Sequence, residues 1–158
     1  MWMEFRLAQK EEVEEIVKIS KVAFDTDVCV GAIDAGGPPD YDSVKWHLDM
    51  QENGNLYVAI NEGVLIGGAL LFYDGKDKGI LYVGRIFISP KYHKKGFGIQ
   101  LMEMIEKMSP DLKVLRLDTP VWNVRTNTFY PKCGFKETSR DEESIYYEKK
   151  LVSLIKIM

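Results

Sequence analysis

The chain is poor in the residues that build cross-linked or metal-stapled folds. It has two cysteines, Cys29 and Cys133, in 158 residues. Two such thiols form neither a disulfide framework nor a ligand cluster, so a reducing cytoplasmic setting with no bound metal is the expectation. No apolar run nears the roughly 18–20 residues that span a bilayer. The opening MWMEFRLAQKEE lacks the apolar centre of a secretory signal, so no membrane association is expected. Excess positive charge is missing as well. The formal net charge is −3, whereas a general nucleic-acid binder is usually basic, and a nucleic-acid partner is not expected. Internal repeats and low-complexity tracts are also lacking.

What is present suits one domain over residues 1–158, with 46% apolar and 28% charged residues and enough length to bury a core. Met3 to Leu7 reads as a strand. Val13, Ile16, Val17, Ser20 and Phe24 recur at helical spacing, predicting a helix from about Gln9 to Phe24. Glu11, Glu12, Glu14 and Glu15 near its start suit the positive end of the helix dipole and form a solvated face. Asp25 to Asp40 carries three glycines and two prolines and reads as a long loop. Asp40 is then a candidate N-cap for a helix from Tyr41 to about Gln51, which carries Trp46 and His47.

Two strands, Leu56–Ile60 and Val64–Tyr73, flank Asn61-Glu62-Gly63, a hairpin signal. The next strand, Lys78 to Ser89, is apolar nearly throughout, as a central strand would be. Gly84 inside it marks either a bulge or a tight contact. Leu101, Met102, Ile105 and Met108 form the buried stripe of a helix that Ser109-Pro110 ends. Lys113 to Asp118 is a further strand, giving a strand–helix–strand unit suited to a parallel pair. A short helix from Asn123 stops at Gly134. Strands over Lys136–Arg140 and Ile145–Leu151 follow, and the apolar end LVSLIKIM either extends the last strand or sits at a dimer contact.

The chemistry concentrates between Ile80 and Met108. Gly96 and Gly98 let backbone N–H groups approach a ligand without a Cβ in the way. A helix starting there leaves its first N–H groups unpaired and its positive dipole end outward. Lys91, His93, Lys94 and Lys95 add charge, so the place suits a diphosphate or another compact anion. No Gly-Lys-[Ser/Thr] follows, and no third glycine completes a dinucleotide fingerprint.

The run His93-Lys94-Lys95-Gly96-Phe97-Gly98, between a strand and a helix, resembles the [Gln/Arg]-x-x-Gly-x-[Gly/Ala] acyl-CoA loop of the GNAT acetyltransferase superfamily, with His93 in place of the usual first residue. Downstream, Asn123, Tyr130, Gly134 and Phe135 resemble that superfamily's Asn-x(6)-Tyr-x(3)-Gly-Phe segment. The resemblance implies an α/β (α+β) fold: a mixed, mostly antiparallel sheet of about six to seven strands, helices on both faces, and one parallel strand pair splayed at the acyl-CoA site. It implies acetyl-CoA as cosubstrate, with Ile86, Phe87 and Ile88 pairing with pantetheine. His93, Lys94, Lys95, Gly96, Phe97, Gly98 and Ile99 would lie at the diphosphate. Asn123 would hold pantetheine through its amide, although asparagine is also a common N-cap.

An aliphatic amine with a pKa near 10.4 is neutral in only about one molecule in a few thousand at pH 7. Acetyl transfer to it therefore calls for a base, an acid for the leaving thiolate, and donors for the carbonyl oxygen. By resemblance Tyr130 is the acid. Asp118 is the candidate base, with a turn-forming aspartate or an ion pair with Arg85 as the other readings. The expected partner is a small-molecule or peptide amine, with a homodimer as the family-level expectation and direct attack in a ternary complex as the implied route. Asp34 and Asp40 are candidates to attract a cationic acceptor. A non-catalytic acyl-CoA-binding regulatory module is the alternative, against which Tyr130 speaks.

Overall fold

The structure is a computed structural model that describes residues 3–32 and 36–151. In chain order the elements are β1 (Met3–Leu7), α1 (Val13–Asp25), α2 (Val44–Glu52), β2 (Leu56–Asn61), β3 (Val64–Asp74), β4 (Asp77–Ile88), α3 (Phe97–Glu106), β5 (Val114–Pro120), α4 (Val124–Lys132), β6 (Lys136–Arg140) and β7 (Ser144–Lys150). The strands form one seven-stranded sheet in the order β1-β2-β3-β4-β5-β7-β6. Only β4 and β5 run parallel, because α3 carries the chain back across the sheet between them.

The alternation of side chains builds two cores. Val13, Ile16 and Val17 of α1 pack with Leu56, Val58, Leu70 and Phe87 on one face, and Trp46 and Leu48 of α2 lie at the edge of that cluster. Leu101, Met102 and Ile105 of α3 and Tyr130 of α4 meet Ile66, Leu71, Leu81, Leu115 and Leu117 on the other. The expected mixed sheet with helices on both faces is thus present. Glu62 and Gly63 both take positive φ, 51° and 79°, the geometry a tight hairpin between β2 and β3 demands.

The parallel pair is short. Ile80, Leu81 and Tyr82 pair with Val114, Leu115 and Arg116, after which β4 runs on to Ile88 without β5 beside it. The strands therefore part just where Gly84 lies. Leu71 pairs with Val83 and Leu70 with Arg85, so Gly84 is the extra residue of a bulge. A Cβ there would sit 2.8 Å from the Phe72 ring. Both readings of Gly84 hold at once.

Three local expectations are corrected. The second helix starts at Val44 rather than Tyr41, because Ser43 Oγ accepts from the Trp46 N–H at 3.1 Å while Asp40 turns into the left-handed region at φ 64°. The segment after α1 is partly ordered as a 3-10 turn over Thr26–Val30. Arg85 does not pair with Asp118. Its guanidinium lies 4.4 Å from the Trp46 ring centre and donates to Pro39 O, on the side of the sheet that α2 covers. Asp34 and the tail from Val152 to Met158, with the dimer contact expected of it, lie outside the described residues.

Candidate active site

Where β4 and β5 separate, a cleft of about 740 Å³ opens between β4 and α4, bounded by the end of α1 and the start of α3. Ile86, Phe87 and Ile88 line it from the strand; His93, Lys94, Gly96, Phe97, Gly98 and Ile99 from the loop and the start of α3; Asn123 and Tyr130 from α4. Every residue expected at the acyl-CoA and catalytic site lines the cleft except Lys91, Lys95 and Asp118.

The loop before α3 is shaped by its own chemistry. Ser89 N–H donates to Ile66 O at 2.7 Å and anchors the end of β4. His93 Nε2 lies 2.7 Å from Ile88 O. A carbonyl only accepts, so this nitrogen carries the proton. Burial, with the nearby Arg125 charge, pushes the ring below its ordinary pKa, despite the bond to Ile88. His93 is thus a neutral latch on the strand as well as part of the cleft wall.

Lys94 and Gly96 take φ of 61° and 82°, and Gly96 caps α3. Gln100 N–H is the first to reach back along the helix, to Gly96 O at 3.1 Å. The N–H groups of Phe97, Gly98 and Ile99 therefore face the cleft without helical partners. The two glycines have different reasons. A Cβ on Gly96 would meet nothing within 4 Å, so only its backbone angle calls for glycine, whereas a Cβ on Gly98 would lie 3.1 and 3.2 Å from Cε1 and Cζ of Phe129. Gly98 lets α3 and α4 close on each other.

Tyr130 is 6% exposed, ringed by Phe129, Phe135 and Tyr147 at centroid distances of 5.5, 5.7 and 6.0 Å. Its hydroxyl has no hydrogen-bond partner among the described residues, and the residue lines the cleft. Burial chiefly, and then the nearby Cys133, Asp118 and Asp27, push its pKa well above the ordinary value of 10. It therefore holds its proton throughout the neutral range.

Asn123 is buried and caps α4, its Oδ1 accepting from Thr126 N–H at 3.1 Å. Its side chain also favours the charged form of the Asp27 carboxyl. Asp27 and Arg125 are cleft residues that sequence reading missed. Arg125 Nη1 donates to Thr26 Oγ1 at 3.0 Å and stands 3.7 Å from Asp27 Oδ1. The only signal in the sequence was that Asp27 belongs to the long loop after α1. Nothing in the spacing ties it to a helix about a hundred residues further on.

Asp118 is not part of the cleft lining, although its charge reaches Tyr130. On β5, Leu115, Leu117 and Thr119 turn inward, and Asp118 is half-buried opposite Tyr146 of β7. Burial and the charge of Asp141 push its carboxyl above the ordinary range. No group of three or more potential metal ligands converges among the described residues, and no helix among them is long and apolar enough to cross a membrane.

Known proteins share the sequence pattern and the fold. The sequence pattern of the acetyltransferase (GNAT) family matches residues 13–135. No curated protein matches the sequence. Among solved structures, the PaiA N-acetyltransferase of Thermoplasma acidophilum, in complex with coenzyme A, is 22% identical. It covers 96% of this chain and 100% of its own at a TM-score of 0.78. A GNAT family acetyltransferase of Streptococcus agalactiae is 20% identical with a TM-score of 0.81, over 95% of this chain and 96% of its own. The ribosomal-protein-S18-alanine N-acetyltransferase of Escherichia coli is 15% identical with a TM-score of 0.72, over 94% of each chain.

Proposed function

The chain belongs to the acetyltransferase (GNAT) family, and from that premise we propose that it transfers the acetyl group of acetyl-CoA to a primary amine, on a small molecule or a peptide, by direct attack within a ternary complex. The carrying observation is Tyr130, in the lining of a cleft that ends at the start of α3, with a hydroxyl that has no hydrogen-bond partner among the described residues. A pure binder has no use for that hydroxyl.

The residues fit acetyl-CoA. Gly96, with Lys94 beside it, turns the backbone so that the first N–H groups of α3 meet a diphosphate. The unpaired edge of β4 at Ile86, Phe87 and Ile88 offers backbone groups to the amides of pantetheine. Bound there, acetyl-CoA supplies the thioester carbonyl that the amine attacks. Tyr130 gives its proton to the departing sulfur. Asn123 holds the start of α4 at the cleft, beside pantetheine. The coenzyme A bound to the Thermoplasma relative supports this reading, as does the protein alanine acceptor named for the Escherichia coli one.

The test is thiol release from acetyl-CoA over a panel of polyamines, amino acids, aminoglycosides and peptides with free N-termini. Tyr130→Phe is expected to lower kcat by roughly 10²–10⁴-fold with little change in acetyl-CoA affinity. An unchanged kcat would remove Tyr130 from the chemistry. Tight binding without turnover on any acceptor would favour the non-catalytic module, and no binding at all would overturn the reading.

A further inference from the structure

Asp27 is the one carboxylate that lines the cleft among the described residues. It is 8% exposed, and it enters from the 3-10 turn after α1, across the opening from α4. Its carboxylate is held without being fully neutralised. The Asn123 side chain favours its charged form, and Arg125 stands at 3.7 Å, too far for a hydrogen bond. Arg125 is itself tied to the neighbouring Thr26. Tyr130 is also buried and lines the same cleft, so an acid and a carboxylate share one opening.

We infer that Asp27 is the proton acceptor for the incoming ammonium, with Arg125 and Asn123 as the positioning residues that aim it. This rests on the reading of the cleft as an acetyl-CoA site. Asp27 takes one proton from R–NH₃⁺, leaving R–NH₂ with a free lone pair. The N–C bond to the acetyl carbon forms and the C–S bond breaks. The sulfur receives the Tyr130 proton, and the surplus proton on the nitrogen restores Tyr130 through solvent. Asp27 then releases its proton, so the sum is amide, free CoA thiol and one proton. Burial raises the Asp27 carboxyl above the ordinary range, against the pull of Arg125 and Asn123, which brings it closer to what a base at neutral pH needs. The titratable or charged groups that share the cleft with it are Arg125, Tyr130 and Lys132 of α4, Cys29 of its own segment, and Lys94 and neutral His93 of the loop before α3. Asp118, whose charge also reaches Tyr130, does not line the cleft, and Asp141 is the charge it feels.

Two experiments test the inference. In the first, Asp27→Asn, Asp27→Glu and Asp118→Asn are compared on the best basic amine of the panel and on methoxyamine, which is already neutral at pH 7. Asp27→Asn is expected to lose about 10²–10⁴-fold in kcat on the basic amine, to recover as pH rises, and to lose far less on methoxyamine. Acetyl-CoA affinity stays within about threefold, and Asp27→Glu regains part of the loss. Equal losses on both acceptors, no loss at all, or a loss carried by Asp118→Asn overturns the inference while leaving the acetyltransferase reading intact. The second experiment needs no turnover. The carboxyl-carbon NMR signals of CoA-saturated protein are followed during titration with n-butylamine. Movement of the Asp27 signal supports the inference. A fixed Asp27 signal overturns it, whether or not Asp118 moves.

Discussion

Gly98→Ala probes how closely α3 and α4 must approach to shape the cleft, and its sign can be worked out beforehand. Position 98 is in the first turn of α3, where alanine is better than glycine by up to about 1 kcal/mol from propensity alone. Against that, the new methyl would stand 3.1 and 3.2 Å from the Phe129 ring, closer than ordinary van der Waals contact. Overpacking of that kind costs about 1–3 kcal/mol. The net expectation is a loss of roughly 0–2 kcal/mol. Phe129→Leu removes the two offending atoms, since leucine stops short of Cε1 and Cζ. In that background Gly98→Ala should become stabilising by up to about 1 kcal/mol. A coupling of roughly 1–3 kcal/mol between the two sites follows, well outside the ~0.5 kcal/mol within which independent sites add. Urea unfolding of the four proteins, with m checked for constancy, measures it. If the two changes add, Gly98 is not the contact point between the helices.

Gly96→Ala meets no atom and suffers only the left-handed backbone, φ 82°, so a loss of about 1–2 kcal/mol is expected. Asparagine there should lose less, and equal melting temperatures for all three proteins would refute the backbone argument. Asn123→Ala removes the cap of α4. The cap alone is worth about 1 kcal/mol, so urea unfolding should show at least that loss, and a neutral result would remove the capping role. His47 is buried, donates Nδ1–H to Ser43 O at 2.7 Å, and has its pKa lowered chiefly by burial. Its folded value lies below the unfolded one of about 6.5, so its contribution is full above that pH and is lost as pH falls from there through the folded value. Wild type should lose more stability between pH 7 and 5 than His47→Gln, and parallel curves for the two would contradict this.

Much of the fold was legible because local patterns carry it. The 3.6 spacing of Val13, Ile16, Val17 and Ser20 and the apolar run of β4 name their own burial, and Gly134, at φ 94°, stops α4 where expected. The strand–glycine loop–helix order also places the cleft wall. What stayed hidden is long-range or depends on one atom. Ser43 took the cap from Asp40 because its hydroxyl reaches the Trp46 N–H, a choice two adjacent polar residues do not announce. Arg85 turns to Trp46 and Pro39 rather than Asp118 because the bulge at Gly84 resets which face it points to. Asp27 meets Arg125 and Asn123 only after the sheet has brought the end of α1 over α4. Gly98 looked like a ligand contact, and its first neighbour is a phenylalanine.

The central claim, that this cleft is where the acyl carrier binds, is tested most directly by titrating acetyl-CoA into ¹⁵N-labelled protein and following backbone amides. The largest shifts should fall on Phe97, Gly98 and Ile99 at the start of α3 and on Ile86, Phe87 and Ile88 along β4, saturating at one equivalent. Shifts confined to other parts of the sheet, or none at all, would contradict it.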